Sequence, residues 1–134
     1  MISSTELLDK ISKKLEVNDY SLENFNIKGP SSFNNITENS FTFLKKTPKN
    51  IKEVPPNVIV FIEDPEIASN LKNYILTKNC RLAFAISLSI FNKPKTINGI
   101  CSSSIISEKS EVNPDSSIGS FVKIDDNSSI SKDV

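Results

Sequence analysis

The densest run of residues able to do chemistry in this 134-residue chain is Lys45-Lys46-Thr47-Pro48-Lys49-Asn50. Its three ammonium groups could hold an anion such as a phosphate, with Lys46 and Asn50 as candidate contacts. The plainer reading of the same loop is a solvated turn. Nucleophiles are few. Cys80 and Cys101 stand in no metal or redox spacing and read as small buried hydrophobes of a reducing compartment, not as a disulfide. Histidine is absent. With it go an imidazole base, a Cys–His pair and any His-based metal site, so no catalytic residue, metal ligand or cofactor is assigned within these residues. The three glycines, Gly29, Gly99 and Gly119, lie far apart and make no phosphate-cradling loop.

Charge narrows the partners. Sixteen Lys and Arg balance sixteen Asp and Glu, which gives no electrostatic case for nucleic acid or an anionic membrane surface. No apolar run is long enough for a transmembrane segment. The start, Met1 to Glu6, lacks the basic-then-apolar order of a secretory signal, and a cytoplasmic location is expected.

The elements that would position these residues form an α/β pattern. Ser3-x-x-Glu6 is a capping box, and Leu7, Leu8, Ile11 and Leu15 follow at helical spacing, predicting a helix from Ser3 to Val17. Leu22 to Ile27 alternates like a short strand. Gly29-Pro30 breaks it, and Phe33 to Ile36 reads as a turn. Ser40 to Leu44 is a strand with Phe41 and Phe43 on one side. Asn57 to Glu63 is apolar throughout its middle, as a central strand covered on both faces should be. Asp64-Pro65-Glu66 opens a helix to about Asn70. Tyr74 to Leu76 is a further strand. Asn79 caps a helix from Cys80 to about Phe91, with Leu82, Ala83, Ile86 and Ile90 on one face. The expected fold class is therefore a small mixed sheet with helices over residues 1–92, a linker over 93–99, and a second part over 100–134.

That second part repeats every six residues. Ile100, Ile106, Val112, Ile118, Ile124 and Ile130 are all β-branched. Four places after each stands a small or modest residue: Ser104, Ser110, Ser116, Val122, Ser128 and Val134. One large and one small inward position per hexad is the pattern of a left-handed parallel β-helix, in which three hexads close one coil. Six hexads make two coils, and Gly119 would ease a corner. With no coil beyond the second, Ile118, Ile124 and Ile130 are expected to face water.

A small α/β domain, a linker and hexapeptide repeats together resemble UDP-3-O-acylglucosamine N-acyltransferase, an enzyme of lipid A biosynthesis. The resemblance rests on Phe33-Asn34-Asn35-Ile36-Thr37-Glu38-Asn39-Ser40-Phe41-Thr42-Phe43-Leu44, on Asn79-Cys80-Arg81-Leu82-Ala83-Phe84-Ala85, and on where the repeats begin. It covers these 134 residues, whereas the family's proteins are much longer. What it implies is an N-terminal domain that holds the uracil of a UDP-sugar, acyl carrier protein as donor, and a homotrimer. In the family's Phe-x-x-Asn-x-x-Tyr motif the aromatic matches Phe43, which would stack on the base. The next two places are Lys46 and Lys49 here; a one-residue insertion brings Thr47 and Asn50 instead, so the sequence departs from the motif. The family's catalytic His lies in later coils. The resemblance thus points to the N-terminal part of an acyltransferase. A non-catalytic nucleotide-sugar-binding module is the alternative. A structural β-helix is the third option, weakened by irregular outward charges such as Glu108, Lys109 and Asp126.

Overall fold

A computed structural model describes residues 1–46, 53–92 and 98–134. Thr47, Lys49 and Asn50 of the basic loop, and most of the expected linker, lie outside the described residues. The chain divides into two compact units, Met1–Lys93 and Pro94–Val134.

The first unit is mixed α/β. In chain order it comprises β1 (Ile2–Ser3), α1 (Ser4–Ser12), β2 (Val17–Ser21), β3 (Asn26–Ile27), β4 (Gly29–Pro30), β5 (Ser40–Leu44), β6 (Val58–Ile62), α2 (Pro65–Ala68), β7 (Tyr74–Thr77) and α3 (Cys80–Phe91). Five strands form one sheet in the order β2-β7-β6-β5-β4. β4 to β7 run parallel, and β2 is antiparallel to β7. β1 and β3 make a separate antiparallel pair.

β6 is the central strand, and all five of its residues are buried. Ile59 and Phe61 join Leu7, Ile11, Ile27, Phe41, Ile75 and Ala83 in the larger core. Val58, Val60 and Ile62 face the other way, onto Leu44 and Ile67 of α2. Burial on both faces is what continuous apolarity predicts.

The first helix is shorter than its periodicity suggests. The Ser3 hydroxyl caps it by accepting from the Glu6 N–H at 3.1 Å, and the helix stops at Ser12. Val17 cannot be helical, because it pairs with Thr77 at the start of the β2–β7 ladder. The predicted strand from Leu22 to Ile27 shrinks to Asn26–Ile27. Its other backbone groups are taken elsewhere: the Glu23 N–H donates to Asn73 Oδ1 at 2.7 Å, and the Phe25 N–H donates to Ser4 Oγ at 3.1 Å. α2 likewise ends at Ala68 rather than near Asn70.

α3 has the predicted span, and the Asn79 side chain caps it by accepting from the Leu82 N–H at 3.0 Å. Its buried face is rotated from the expected one. Cys80, Ala83 and Ser87 are buried, while Leu82 is 44 % exposed. Small residues face the sheet there, and the Ser87 hydroxyl is satisfied by donating to the Ala83 carbonyl at 2.8 Å.

The second unit carries β8 (Ile105–Ile106), β9 (Glu111–Val112), β10 (Lys123–Ile124) and β11 (Ser129–Ile130). β10 pairs with β8 and β11 with β9, both parallel. Ile118 bridges Ile100, also parallel. In every pair the partners are 18 residues apart, which is three hexads. Ile100 meets Ile118, Ile106 meets Ile124, and Val112 meets Ile130.

The small position of the hexad has a definite job in the first pass. Ser104, Ser110 and Ser116 each donate both the backbone N–H and the side-chain hydroxyl to the carbonyl three residues back, the hydroxyl at 2.6 Å. In the second pass the backbone turns through positive φ at Phe121, Asn127 and Asp133, again six residues apart, and not at Gly119. Ile118 and Ile124, expected to face water, are buried, whereas Ile100 is 43 % exposed. Ile130, the third of the residues expected to face water, is half-buried.

Candidate functional site

β5 delivers Phe43 to a mostly apolar cavity wall of the first unit that also carries polar groups. Side chains alternate along the strand, so Phe41 and Phe43 share a face and both meet α3. The Phe84 ring lies 5.4 Å from Phe41 and 5.1 Å from Phe43 between centroids. Phe41 is fully buried and belongs to the core. Phe43 is half-buried and opens onto a cavity of about 700 Å³.

Three pieces of the described chain line that cavity, which is open to solvent. The end of β5 contributes Thr42, Phe43, Leu44 and Lys45. The segment after β4 contributes Pro30 to Asn34, including the Phe33 ring. α3 contributes Phe84 and Leu88. The polar groups, Ser31, Ser32, Asn34 and Lys45, stand among three aromatic rings. An apolar slot with a few polar groups and, among the described residues, the Lys45 cation suits a flat, partly polar, anionic ligand.

Of the residues singled out from the sequence, Phe43 lines the cavity and Lys46 does not. Lys46 is exposed beyond the strand end, and its neighbour Lys45 takes the place at the wall. Asn50 lies outside the described residues. Phe33, Asn34 and Phe84 fall within the segments that carry the family resemblance, but neither they nor Leu88 are marked as site residues by the sequence. They meet Phe43 only through the tertiary fold.

The two cysteines differ. Cys80 is buried, and its backbone N–H donates to Glu63 Oε1 at 3.2 Å. Burial, helped by the Glu63 carboxylate, pushes its thiol up to about 11. Cys101 departs from the buried reading. It is only partly buried, and the hydroxyls of Ser103 and Ser120, each 3.3 Å from Sγ, bring its thiol down to about 7. Both are free thiols. Among the described residues no group of three acidic, His or Cys side chains is placed to hold a metal ion. No helix among them is long and apolar enough to cross a membrane. No family model matches the chain, and no curated protein matches it.

Proposed function

We propose that the first unit binds the nucleotide of an acceptor sugar in the cavity beside Phe43. In this reading the chain is the recognition part of an N-acyltransferase of lipid A or a related surface glycan. The observation that carries it is the half-buried Phe43 ring, facing a cavity with Lys45 at its wall. The ring would stack on a base, and Lys45 would meet a phosphate. Residues 100–134 would be two coils of a left-handed parallel β-helix. The 18-residue register of the parallel pairs described within residues 100–134 supports this. Such coils associate as homotrimers in the family that the sequence resembles, with acyl carrier protein as donor in the cytoplasm.

The reaction would join the sugar amine to the acyl carbonyl, release the carrier thiol, and pass the amine proton to a base. The sequence has no histidine, so these residues supply no imidazole for that step. This favours a second reading, a nucleotide-sugar-binding module without turnover of its own. Calorimetric titration with UDP tests the shared part of both readings. Phe43→Ala should weaken binding by about 1–3 kcal/mol; UDP affinity unchanged by the substitution would overturn it. Acyl transfer assayed with acyl carrier protein and a UDP-amino-sugar separates the two, and the binding-module reading fails if the chain turns over alone.

A further inference from the structure

β5 has a neighbour on one side along its whole length but on the other for two residues only. β6 pairs with every residue from Ser40 to Leu44, whereas β4 pairs with Ser40 and Phe41 alone. Along a parallel strand, successive residues point their N–H and C=O alternately to the two sides. The Asn39 and Phe41 carbonyls point toward β4, accepting from the Lys28 N–H at 2.7 Å and the Ser31 N–H at 2.9 Å. Phe43, two residues further, turns its N–H and C=O to the same side. By then β4 has ended at Pro30, and the chain swings away through Ser31 to Asn34. Among the described residues neither main-chain group of Phe43 has a hydrogen-bond partner. The gap left by β4 opens onto the cavity, which both Pro30 and Phe43 line.

Main-chain donors and acceptors without a protein partner pair with water, which a ligand carrying matching groups can displace. Here one donor and one acceptor stand side by side at a cavity. We propose that the main chain of Phe43 reads the edge of the ligand's ring: its N–H donates to a ring carbonyl, and its C=O accepts from the adjacent ring N–H. The ligand class is a planar cyclic amide, such as the base of a nucleotide. This rests on the nucleotide reading and adds to it a means of selection by the main chain. An extended peptide added to the same edge would need a run of such pairs. β5 ends at Leu44, so the strand offers one. The edge thus fits a single ring amide better than a peptide strand.

Amide hydrogen exchange on the isotope-labelled full chain, with UDP and with UDP methylated at the ring nitrogen N3, tests this. In the free protein the Phe43 amide should exchange at least about ten times faster than that of Phe41, whose pairing is complete. Saturating UDP should slow Phe43 about tenfold or more and leave Phe41 little changed. The methylated nucleotide, which has no ring N–H to donate and carries bulk in its place, should bind about tenfold or more weakly. Three results overturn the proposal: a Phe43 amide already protected without ligand, UDP binding that leaves this amide unchanged, or equal affinity for the methylated nucleotide. All three leave the nucleotide reading standing. If UDP does not bind at all, the nucleotide reading itself falls and takes this one with it.

Discussion

Replacing Phe121 by Asn should stabilise the second unit, although it removes an aromatic side chain. Phe121 sits at φ 59°, in the left-handed region. That conformation costs an ordinary L-residue roughly 1–2 kcal/mol, and Asn tolerates it best after glycine. Asn127, one hexad later, has the same φ of 59°. The ring has little to lose, since Phe121 is 86 % exposed. The covered seventh or so of a Phe surface is worth about 0.7 kcal/mol at most. The balance is a gain of about 0.3–1.3 kcal/mol, or roughly two- to ninefold slower exchange of amides that open with the unit. Suitable reporters are the N–H groups of Ile105 and Glu111, which donate at 2.9 Å to the carbonyls of Val122 and Ser128. Asn127→Phe should shift the same amides the other way. Faster exchange in Phe121→Asn would refute the reasoning, because it would mean that the ring is held by a contact worth more than the strain.

Phe41→Ala should cost about 3–5 kcal/mol in a urea melt, as for a large core residue; Phe43→Ala should cost clearly less, because its ring is only half-buried, and equal losses would place Phe43 in the core. Asn73→Ala removes a buried acceptor from the Glu23 N–H, 2.7 Å away, and should cost about 1–3 kcal/mol by the same assay. Iodoacetamide should label Cys101 well before Cys80, with a half-maximal rate near pH 7, because Cys101 is held to about 7 and Cys80 pushed up to about 11. Folding favours the Cys101 thiolate, so its contribution to stability is fully present above pH 9, the ordinary thiol value, and is lost as pH falls through about 7. Ser103→Ala with Ser120→Ala should move the labelling midpoint toward 9, and an unmoved midpoint would contradict the assigned cause.

What could be read from the sequence followed from burial. Val58 to Ile62 is apolar without a break because two cores claim it, and the Cys80 helix has a cap residue and a clear end. The hexads announce an 18-residue return, since each large residue must meet another of its kind. β2 gave no such signal. Val17-Asn18-Asp19-Tyr20-Ser21 is an edge strand with four of its five residues exposed, so it carries no apolar alternation, and its strand character comes from pairing with β7. The rotation of α3 was hidden for a related reason: hydrophobicity marked Leu82, whereas close approach to the sheet selects for smallness, at Ala83 and Ser87. At the candidate site, alternation placed Phe43 beside Phe41. The choice of Lys45 over Lys46 at the wall depends on where β5 ends. The open edge at Phe43 depends on where β4 ends, and a Gly-Pro pair does not state how far pairing continues beyond it.

The common spacing of 18 in the second unit also limits how this region can change in length. Each residue's environment there is fixed by its phase within the repeat. One extra residue between Ile106 and Ile118 would set the whole downstream run out of step, with serines brought against isoleucines and turns against strands. Six extra residues would restore the large-small order but pair every hexad with a different one. Only a full set of three hexads returns each side chain to its old neighbours. Insertions and deletions in this region should therefore be tolerated in units of 18 residues, and point substitutions within a hexad should be accepted far more often than the loss or gain of one position.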